Sequence, residues 1–243
     1  MKKIISILTL ILIFCNCTIS AKQSDYNVYS PQSYSAKNID TSSEKIMFIV
    51  DFSNSMNELL GSRRKIDVAL YALKNILPTI PKNAQIGLRV YGQRGGITPV
   101  DACLASKLVV PIDYDNFKNI YKALERIAPV GMTPITYSIK QSLKNDFGLW
   151  QGQKRLVILT DGGENCDESP CDYAISLVKE RKDIKIDVIA FSIDDEAGLS
   201  QLKCAALVTG GKFYNANTYA NLVEGLKNSF NAEKSVEGMI IEK

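Results

Sequence analysis

A carboxylate and two hydroxyls recur at alternate positions in one short segment of the chain. Asp51, Ser53 and Ser55 are spaced two residues apart, directly after the apolar run 46–50. A buried strand that ends in this way presents oxygen ligands at the edge of a sheet. Because hard oxygen ligands suit small hard cations, the segment predicts a site for an ion such as Mg²⁺, provided that the rest of the chain completes the coordination shell.

Two further segments offer oxygen atoms, but all three segments have a purely structural alternative. Thr133 is followed by proline, which is the pattern of a helix N-cap. Asp161 lies in the segment 160–163, which follows an apolar run and has the composition of a turn. Ser55 has Glu58 three residues later, as in a capping box. Taken one at a time, these segments indicate local structure more readily than a binding site.

The elements that must position these residues alternate between strands and helices. Apolar runs predict strands at 46–50, 85–91, 107–112, 155–160, 186–192 and 212–214. The intervening segments predict helices at 64–77, 115–127, 131–147, 171–181, 196–208 and 219–230. The connection between the second and third strands is too short for a helical crossover, so we expect the third strand to be antiparallel to the second.

This order predicts an α/β fold. We expect a Rossmann-like, doubly wound, mostly parallel six-stranded sheet with one antiparallel edge strand and helices on both faces. Right-handed crossovers bring the carboxyl ends of the parallel strands to one edge, where ligands bind in such folds. The oxygen-bearing residues Asp51, Ser53, Ser55, Thr133 and Asp161 should meet there. Asp51 and Asp161 should follow neighbouring strands, and two adjacent carboxylates repel each other unless a cation lies between them.

The segments 51–55, 131–135 and 159–162 resemble, in order and position, the three parts of the metal-ion-dependent adhesion site (MIDAS) of the von Willebrand factor type A (VWA) domain family. The resemblance extends over residues 44–230, nearly the whole chain after the N-terminal region. A single motif of the first type would be weak support. Three motifs in order, each at the end of a predicted strand or the start of a helix, are far more specific.

The resemblance implies a role for each of five residues. Ser53 and Ser55 would bind the cation directly through their hydroxyls, and Thr133 would bind it directly or through water. Asp51 and Asp161 would hold coordinated waters and supply negative charge. The cation would be Mg²⁺, with Mn²⁺ or Ca²⁺ as alternatives, and a protein partner would fill the remaining position with an acidic side chain.

Three other residues are candidates for contact with that partner. Met132 replaces a glycine often seen before the threonine in the family, which would alter the surface beside the site. Arg94 would pair with the partner's carboxylate, or be a solvated loop charge. Glu164 belongs to an acidic edge beyond Asp161 that would favour cations or a basic partner, or be an ordinary soluble surface.

Cysteine usage predicts disulfides. The four cysteines after the N-terminal region are Cys103, Cys166, Cys171 and Cys204, and they allow three full pairings. The spacing of the middle two is not that of a zinc pair, and the chain has no histidine to assist. Either the middle two pair with each other, or both pair outward to Cys103 and Cys204. A bond between Cys103 and Cys204 is not expected, because these lie toward opposite halves of the sheet.

The N-terminal region predicts export. Residues 1–21 combine two lysines, no acidic residue and a short apolar run, the pattern of a secretory signal peptide, with a buried helix as the alternative. The apolar run is shorter than the ~20 residues of a membrane span. Lipidation at Cys15 or Cys17 is an alternative to simple cleavage, although neither follows a small residue. Residues 22–43 predict a flexible polar linker or an arm on the domain, and residues 231–243 a C-terminal tail.

Composition excludes several functions. The absence of histidine excludes Ser-His-Asp and Cys-His nucleophile systems and any imidazole-bound zinc. The net charge of +3 becomes +1 when the two lysines of the signal peptide are subtracted, which is not basic enough to indicate nucleic-acid or anionic-membrane binding. A metal-dependent phosphohydrolase with Asp51 as nucleophile stays a less favoured alternative, because such enzymes need an aspartate where Ser53 stands and no P-loop is present.

These observations predict a non-enzymatic, exported VWA protein, located in the periplasm, at the cell surface or in the medium. It would mediate divalent-cation-dependent protein binding or adhesion. The alternative is a structural or assembly component of an envelope complex, in which the metal only stabilises the fold.

Overall fold

The computed structural model of the protein describes residues 44–230. The predicted signal peptide, linker and C-terminal tail, together with Cys15 and Cys17, lie outside the described residues. These predictions therefore stay predictions.

The strands of the described region form one large sheet and one short hairpin. In chain order they are β1 (Lys45–Asp51), β2 (Leu59–Leu60), β3 (Arg63–Arg64), β4 (Gln85–Tyr91), β5 (Ser106–Tyr114), β6 (Lys154–Thr160), β7 (Ile184–Phe191) and β8 (Phe213–Ala216). The large sheet has the order β5-β4-β1-β6-β7-β8, and β2 pairs with β3 in the hairpin. Every pairing in the large sheet is parallel except that of β5 with β4. The predicted mostly parallel sheet with one antiparallel edge strand is confirmed.

The helices alternate with these strands. They are α1 (Lys65–Ile76), α2 (Pro99–Ala102), α3 (Phe117–Leu124), α4 (Ile135–Gln141), α5 (Pro170–Glu180), α6 (Glu196–Val208) and α7 (Tyr219–Phe230). None of the helices within residues 44–230 has both the length and the apolar character needed to cross a bilayer.

The two faces of the sheet carry separate apolar cores, because successive side chains of a strand point to opposite faces. In β1, Phe48 and Val50 pack into one core with α1, α3 and α7. Met47 and Ile49 pack into the other core, with α4, α5 and α6. Covering on both faces explains why the central strands are continuous apolar runs rather than alternating ones.

The region between α3 and β6 differs most from the sequence prediction. A helix was expected over residues 131–147, with Pro134 in its first turn, but α4 begins at Ile135 and Pro134 occupies the N-cap position. After Gln141 the chain continues as a π-helical segment, Ser142–Asp146. The alternative interpretation of Thr133 as the N-cap is wrong by one residue, since Pro134 occupies that position and the N–H of Thr133 donates to Asn165 in a neighbouring loop.

Candidate metal site at the carboxyl edge of the sheet

The parallel pairing of β1 with β6 brings the two predicted acidic residues together. Val50 is in register with Leu159, so that Asp51 and the segment after Thr160 leave the sheet side by side. A chain of hydrogen bonds joins the two segments. The hydroxyls of Ser53 and Ser55 lie 2.9 Å apart, and Ser55 Oγ donates to Asp161 Oδ1 at 2.7 Å. Ser55 therefore bonds to the acid of the neighbouring strand, and Glu58 makes no capping box with it.

Asp51 is fully buried beneath these hydroxyls. The backbone N–H of Ser53 donates to its Oδ1 at 2.6 Å, and Thr160 Oγ1 donates to its Oδ2 at 2.8 Å. Burial, followed by the charge of Asp161, raises the pKa of Asp51 to about 6, although these hydrogen bonds oppose the shift. A carboxylate in this position is costly to ionise and gains from any nearby cation.

Asp161 is also buried, and it has one cationic neighbour. Its Oδ2 lies 3.1 Å from Nζ of Lys65, which in turn lies 2.9 Å from Glu58 Oε2. Burial raises the pKa of Asp161, while the bond from Ser55 and the charge of Lys65 offset part of that rise. Burial would lower the pKa of Lys65, but the bond to Glu58 and the charge of Asp161 raise it above its usual value.

Backbone contacts bring the loop that carries Thr133 to the same edge. Ser53 forms an isolated parallel bridge with Gly131, and the N–H of Asn54 donates to the carbonyl of Gly131 at 2.9 Å. A Cβ on Gly131 would lie 2.3 Å from the carbonyl oxygen of Arg94, so a glycine is required at this point. The hydroxyl-bearing segments after β1 and before α4 are therefore fixed to each other by main-chain bonds.

Thr133 itself is buried and held through its backbone. Its N–H donates to Asn165 Oδ1 at 2.7 Å. Among residues 44–230, none makes a hydrogen bond with the Thr133 hydroxyl. Sequence reasoning missed Asn165, and no spacing rule could have found it, because the contact crosses between loops 32 residues apart.

The three candidates for partner contact have different surroundings. Glu164 is largely buried, and its carboxylate accepts from the N–H groups of Thr136 at 2.7 Å and Cys166 at 3.0 Å. It thus caps α4 from outside the helix, and its contact with a partner stays a prediction. Arg94 is exposed and pairs with Asp101 at 3.0 Å.

Met132 lies at the surface beside the site. It lines a shallow cavity of about 250 Å³ with Val100, Leu104 and Tyr137. The structure thus leaves Met132 available to a partner. Its contact with one, like that of Arg94, stays a prediction.

Both loop cysteines pair outward, the second of the two alternatives. Cys103 is bonded to Cys166, and Cys171 to Cys204. The first disulfide joins the loop after β4 to the loop that carries Asp161 and Asn165. The site loops are thus linked covalently as well as by hydrogen bonds.

Two buried residues at the site were not singled out from the sequence. Thr160 was interpreted as part of a turn, yet its hydroxyl bonds to Asp51. Lys65 was not considered, although a signal was present. It stands four and seven residues before the buried Ala69 and Ala72, so it lies on the buried stripe of α1.

The donor set fits a hard divalent cation. Of the two buried carboxylates at this edge, only Asp161 forms an ion pair within residues 44–230, with Lys65, and its Oδ2 accepts no hydrogen bond in that range. No group of three or more acidic or cysteine side chains with metal-site spacing occurs in that range, so the hydroxyls would have to serve as ligands. Asp51, Ser53, Ser55, Thr133 and Asp161 offer only oxygen atoms, as Mg²⁺, Mn²⁺ and Ca²⁺ prefer.

Comparison with known proteins identifies relatives without an assigned role. No protein-family model matches the chain. The chain is 28% identical over 200 residues to the uncharacterized protein YwmD of Bacillus subtilis. This match covers 79% of the chain and 86% of YwmD. It is 28% identical over 178 residues to the uncharacterized protein YwmC of the same organism, which covers 71% of this chain and 77% of that one.

Solved structures identify the fold. A von Willebrand factor type A structure from Catenulispora acidiphila matches with a TM-score of 0.61 at 21% identity over 77% of this chain and 42% of that one. Proximal thread matrix protein 1 from the mussel byssus, solved with a zinc-occupied MIDAS motif, matches with a TM-score of 0.58 at 19% identity over 77% and 45%. The pilus adhesin SpaC from Lactobacillus rhamnosus GG matches with a TM-score of 0.59 at 12% identity over 77% and 30%.

The chain therefore has the fold of a von Willebrand factor type A domain. It spans less than half the length of each of these three solved chains. The predicted resemblance to this family is confirmed at the level of the fold. One structural neighbour carries a divalent cation in a MIDAS motif.

Proposed function

We propose that this protein is an exported, non-enzymatic binding module that uses a divalent cation, in the first place Mg²⁺, to bind an acidic side chain of a protein partner. The observation that carries the proposal is the contact of Ser53 and Ser55 with two buried carboxylates at the edge where ligands bind in this type of sheet. When bound, the cation would supply an electrophilic centre that a partner's carboxylate completes.

Each candidate ligand has a role in this proposal. The hydroxyls of Ser53, Ser55 and Thr133 would bind the cation without neutralising it, and Asp51 and Asp161 would supply charge through coordinated waters. Neutral direct ligands leave the cation with most of its charge, which favours an anionic ligand from outside. The pilus adhesin among the structural neighbours supports a role in adhesion.

Export is proposed on two independent grounds. The N-terminal 21 residues have the pattern of a signal peptide. The two disulfides of the domain favour an oxidising compartment, since disulfides persist there and are rare in a reducing cytosol. Whether the exported protein is lipidated at Cys15 or Cys17 is tested by mass spectrometry of the mature N-terminus.

Recovery of a partner in the presence and absence of metal tests the proposal. The purified chain is used to capture proteins from cell-surface material in Mg²⁺ or in EDTA. We expect capture in Mg²⁺, loss in EDTA, and loss with Asp51→Ala or Ser55→Ala. Asp113→Ala is the matched control, because this exposed aspartate lies opposite Ile86 at the other end of the sheet. Capture that is equal in EDTA and unaffected by Asp51→Ala would contradict the proposal.

A structural role for the metal predicts a different pattern. In that case Mg²⁺ would raise the melting temperature, yet no partner would be recovered in a metal-dependent way. The same experiment, with a melting curve added, therefore separates the binding module from a component that the metal only stabilises.

A further inference from the structure

The ammonium of Lys65 is built into the candidate metal site. Nζ lies 3.1 Å from Asp161 Oδ2 and 2.9 Å from Glu58 Oε2, and the Lys65 side chain is only 9% exposed. Glu58, by contrast, is 65% exposed in its side chain. The ammonium is thus enclosed on the side of the metal site and open to solvent on the side of Glu58.

Backbone contacts position the residue that carries this ammonium. Lys65 is the first residue of α1, and its N–H donates to the carbonyl of Glu58 at 2.9 Å. The hairpin between the two residues pairs Leu59 with Arg64 and brings the chain back on itself. Glu58 and Lys65 are therefore held together by a main-chain bond, a hairpin and an ion pair, which keep the base of the Lys65 side chain beside the candidate site.

The charges at this edge are incompletely balanced. Asp51 and Asp161 carry two negative charges when ionised, and Lys65 supplies one positive charge at the oxygen that lacks a hydrogen bond. An unpaired buried charge is strongly destabilising, so this pair stabilises the protein when no metal is bound. The same positive charge repels a divalent cation that approaches the same carboxylate.

We propose that Lys65 is a tethered competitor of the metal, which lowers the affinity of the site for divalent cations and stabilises the metal-free protein. The inference rests on the proposed function, because it assigns Lys65 a role toward the cation proposed there. Glu58 takes the opposite part, since its carboxylate contacts the same ammonium and offsets part of its positive charge.

The first test compares Lys65→Met with Arg64→Met. Arg64 is the adjacent residue, is half exposed and pairs with Asp67 at the surface, so its loss removes the same charge outside the site. Binding of Mn²⁺ alone to the full chain is measured by calorimetry. We expect Lys65→Met to tighten Mn²⁺ binding about tenfold and Arg64→Met to change it less than about twofold, since only the former charge acts at short range in a buried setting.

The metal-free protein should respond in the opposite direction. We expect Lys65→Met to lower the melting temperature in EDTA, because Asp161 loses its counter-ion, and saturating Mn²⁺ to remove most of that loss. If Lys65 had only a structural role, its replacement would lower the melting temperature without increasing the affinity for Mn²⁺. The two measurements together therefore separate the two roles.

A second variant keeps the test decisive if Lys65→Met does not fold. Glu58→Gln alters an exposed side chain and leaves Lys65 paired with Asp161 alone. We expect it to weaken Mn²⁺ binding about threefold, whereas the control Asp67→Asn leaves binding unchanged. The inference about Lys65 would be overturned if Lys65→Met bound Mn²⁺ no more tightly than wild type. It would also be overturned if the Glu58 and Lys65 variants shifted the affinity in the same direction. Either result would leave the proposed function standing. Absence of Mn²⁺ binding by wild type would overturn the proposed function as well.

Discussion

The two ends of the central strands both bury charged side chains, but they differ in how those charges are balanced. At the end where β6 begins, Lys154 pairs with Asp183 at 2.6 Å, and Arg155 pairs with Glu44 at 3.1 Å. At the end where β1 and β6 finish, Asp161 pairs with Lys65, whereas the buried Asp51 forms no ion pair within residues 44–230.

The pKa shifts express this difference. Burial would raise the pKa of Asp183, but Arg181 and Lys154 outweigh it and hold the pKa at about 2. Burial and the charge of Asp161 raise the pKa of Asp51 to about 6. An acid whose pKa is lowered stabilises the fold when ionised. An acid whose pKa is raised destabilises the fold when ionised, and such groups mark sites that gain from a ligand.

The largest expected effect separates the two ends by metal affinity. Asp51→Asn removes one of the two charges at the candidate site, and we expect it to weaken Mn²⁺ binding about 100-fold. Asp183→Asn removes a charge at the other end and should leave the affinity unchanged. Calorimetry on both variants checks this. An equal loss of Mn²⁺ affinity in both variants, or no loss in Asp51→Asn, would mean that the metal site does not lie at the end where β1 and β6 finish.

The second effect concerns the ion pair at the end where β6 begins and its contribution to the free energy of unfolding. Lys154 is almost fully buried, and Lys154→Met leaves Asp183 with Arg181 alone, so we expect a loss of about 1–2 kcal/mol in the free energy of unfolding. Lys140→Met breaks the exposed pair with Glu168 and should cost less than about 0.5 kcal/mol. Urea denaturation measures both. A Lys154→Met protein with an unchanged free energy of unfolding would show that the ion pair with Asp183 does not stabilise the fold.

The third effect concerns pH, and the two ends should respond with opposite signs. Asp51 has a higher pKa when folded than when unfolded, so its contribution lowers stability as pH rises from about 4 to about 6 in the metal-free protein. Asp183 has a lower pKa when folded, so its contribution is present above pH 4 and is lost as pH falls through about 2.

Metal binding at the site should therefore weaken in mild acid. With a pKa of about 6, Asp51 is mostly protonated at pH 5.5, and we expect Mn²⁺ affinity to fall about fourfold between pH 7.5 and 5.5. Calorimetry at the two pH values tests this, with the Asp51→Asn variant as the control that should show a weaker dependence, since Asp161 still titrates there. An affinity that does not change over this range would contradict the raised pKa.

The smallest effect tests how far each disulfide contributes to Mn²⁺ binding at the candidate site. The pair Cys103→Ser and Cys166→Ser releases the loop that carries Asp161, and we expect it to weaken Mn²⁺ binding about threefold in addition to its cost in stability. The second disulfide, Cys171–Cys204, joins α5 to α6. Its removal by Cys171→Ser and Cys204→Ser should lower stability without changing the affinity for Mn²⁺. An affinity that stays unchanged without the first disulfide, or that weakens equally without either one, would contradict a particular role of the Cys103–Cys166 disulfide at the site.

The sequence predicted what depends on strand order. Continuous apolar runs require a sheet covered on both faces, and this places Asp51 and Asp161 at one edge on adjacent strands. The antiparallel position of β5 followed from a connection too short for a crossover. These conclusions need only local pattern and the handedness of connections.

What the sequence did not predict depends on contacts between loops. The start of α4 was misplaced because Asn165 and Glu164, from a different loop, satisfy the backbone around Thr133 and Thr136. Lys65 was missed because its significance arises only when its helix is placed beside Asp161. The choice between two disulfide patterns likewise required three-dimensional distances.

The central claim is that a divalent cation binds between the segments after β1 and β6. Its most direct test is an anomalous difference map from crystals of the domain grown with Mn²⁺. We expect a peak within direct bonding distance of the hydroxyls of Ser53 and Ser55, absent from crystals of Asp51→Asn. Ordered wild-type crystals with no peak at these hydroxyls, or with Mn²⁺ bound only at surface acids such as Asp167, would contradict it.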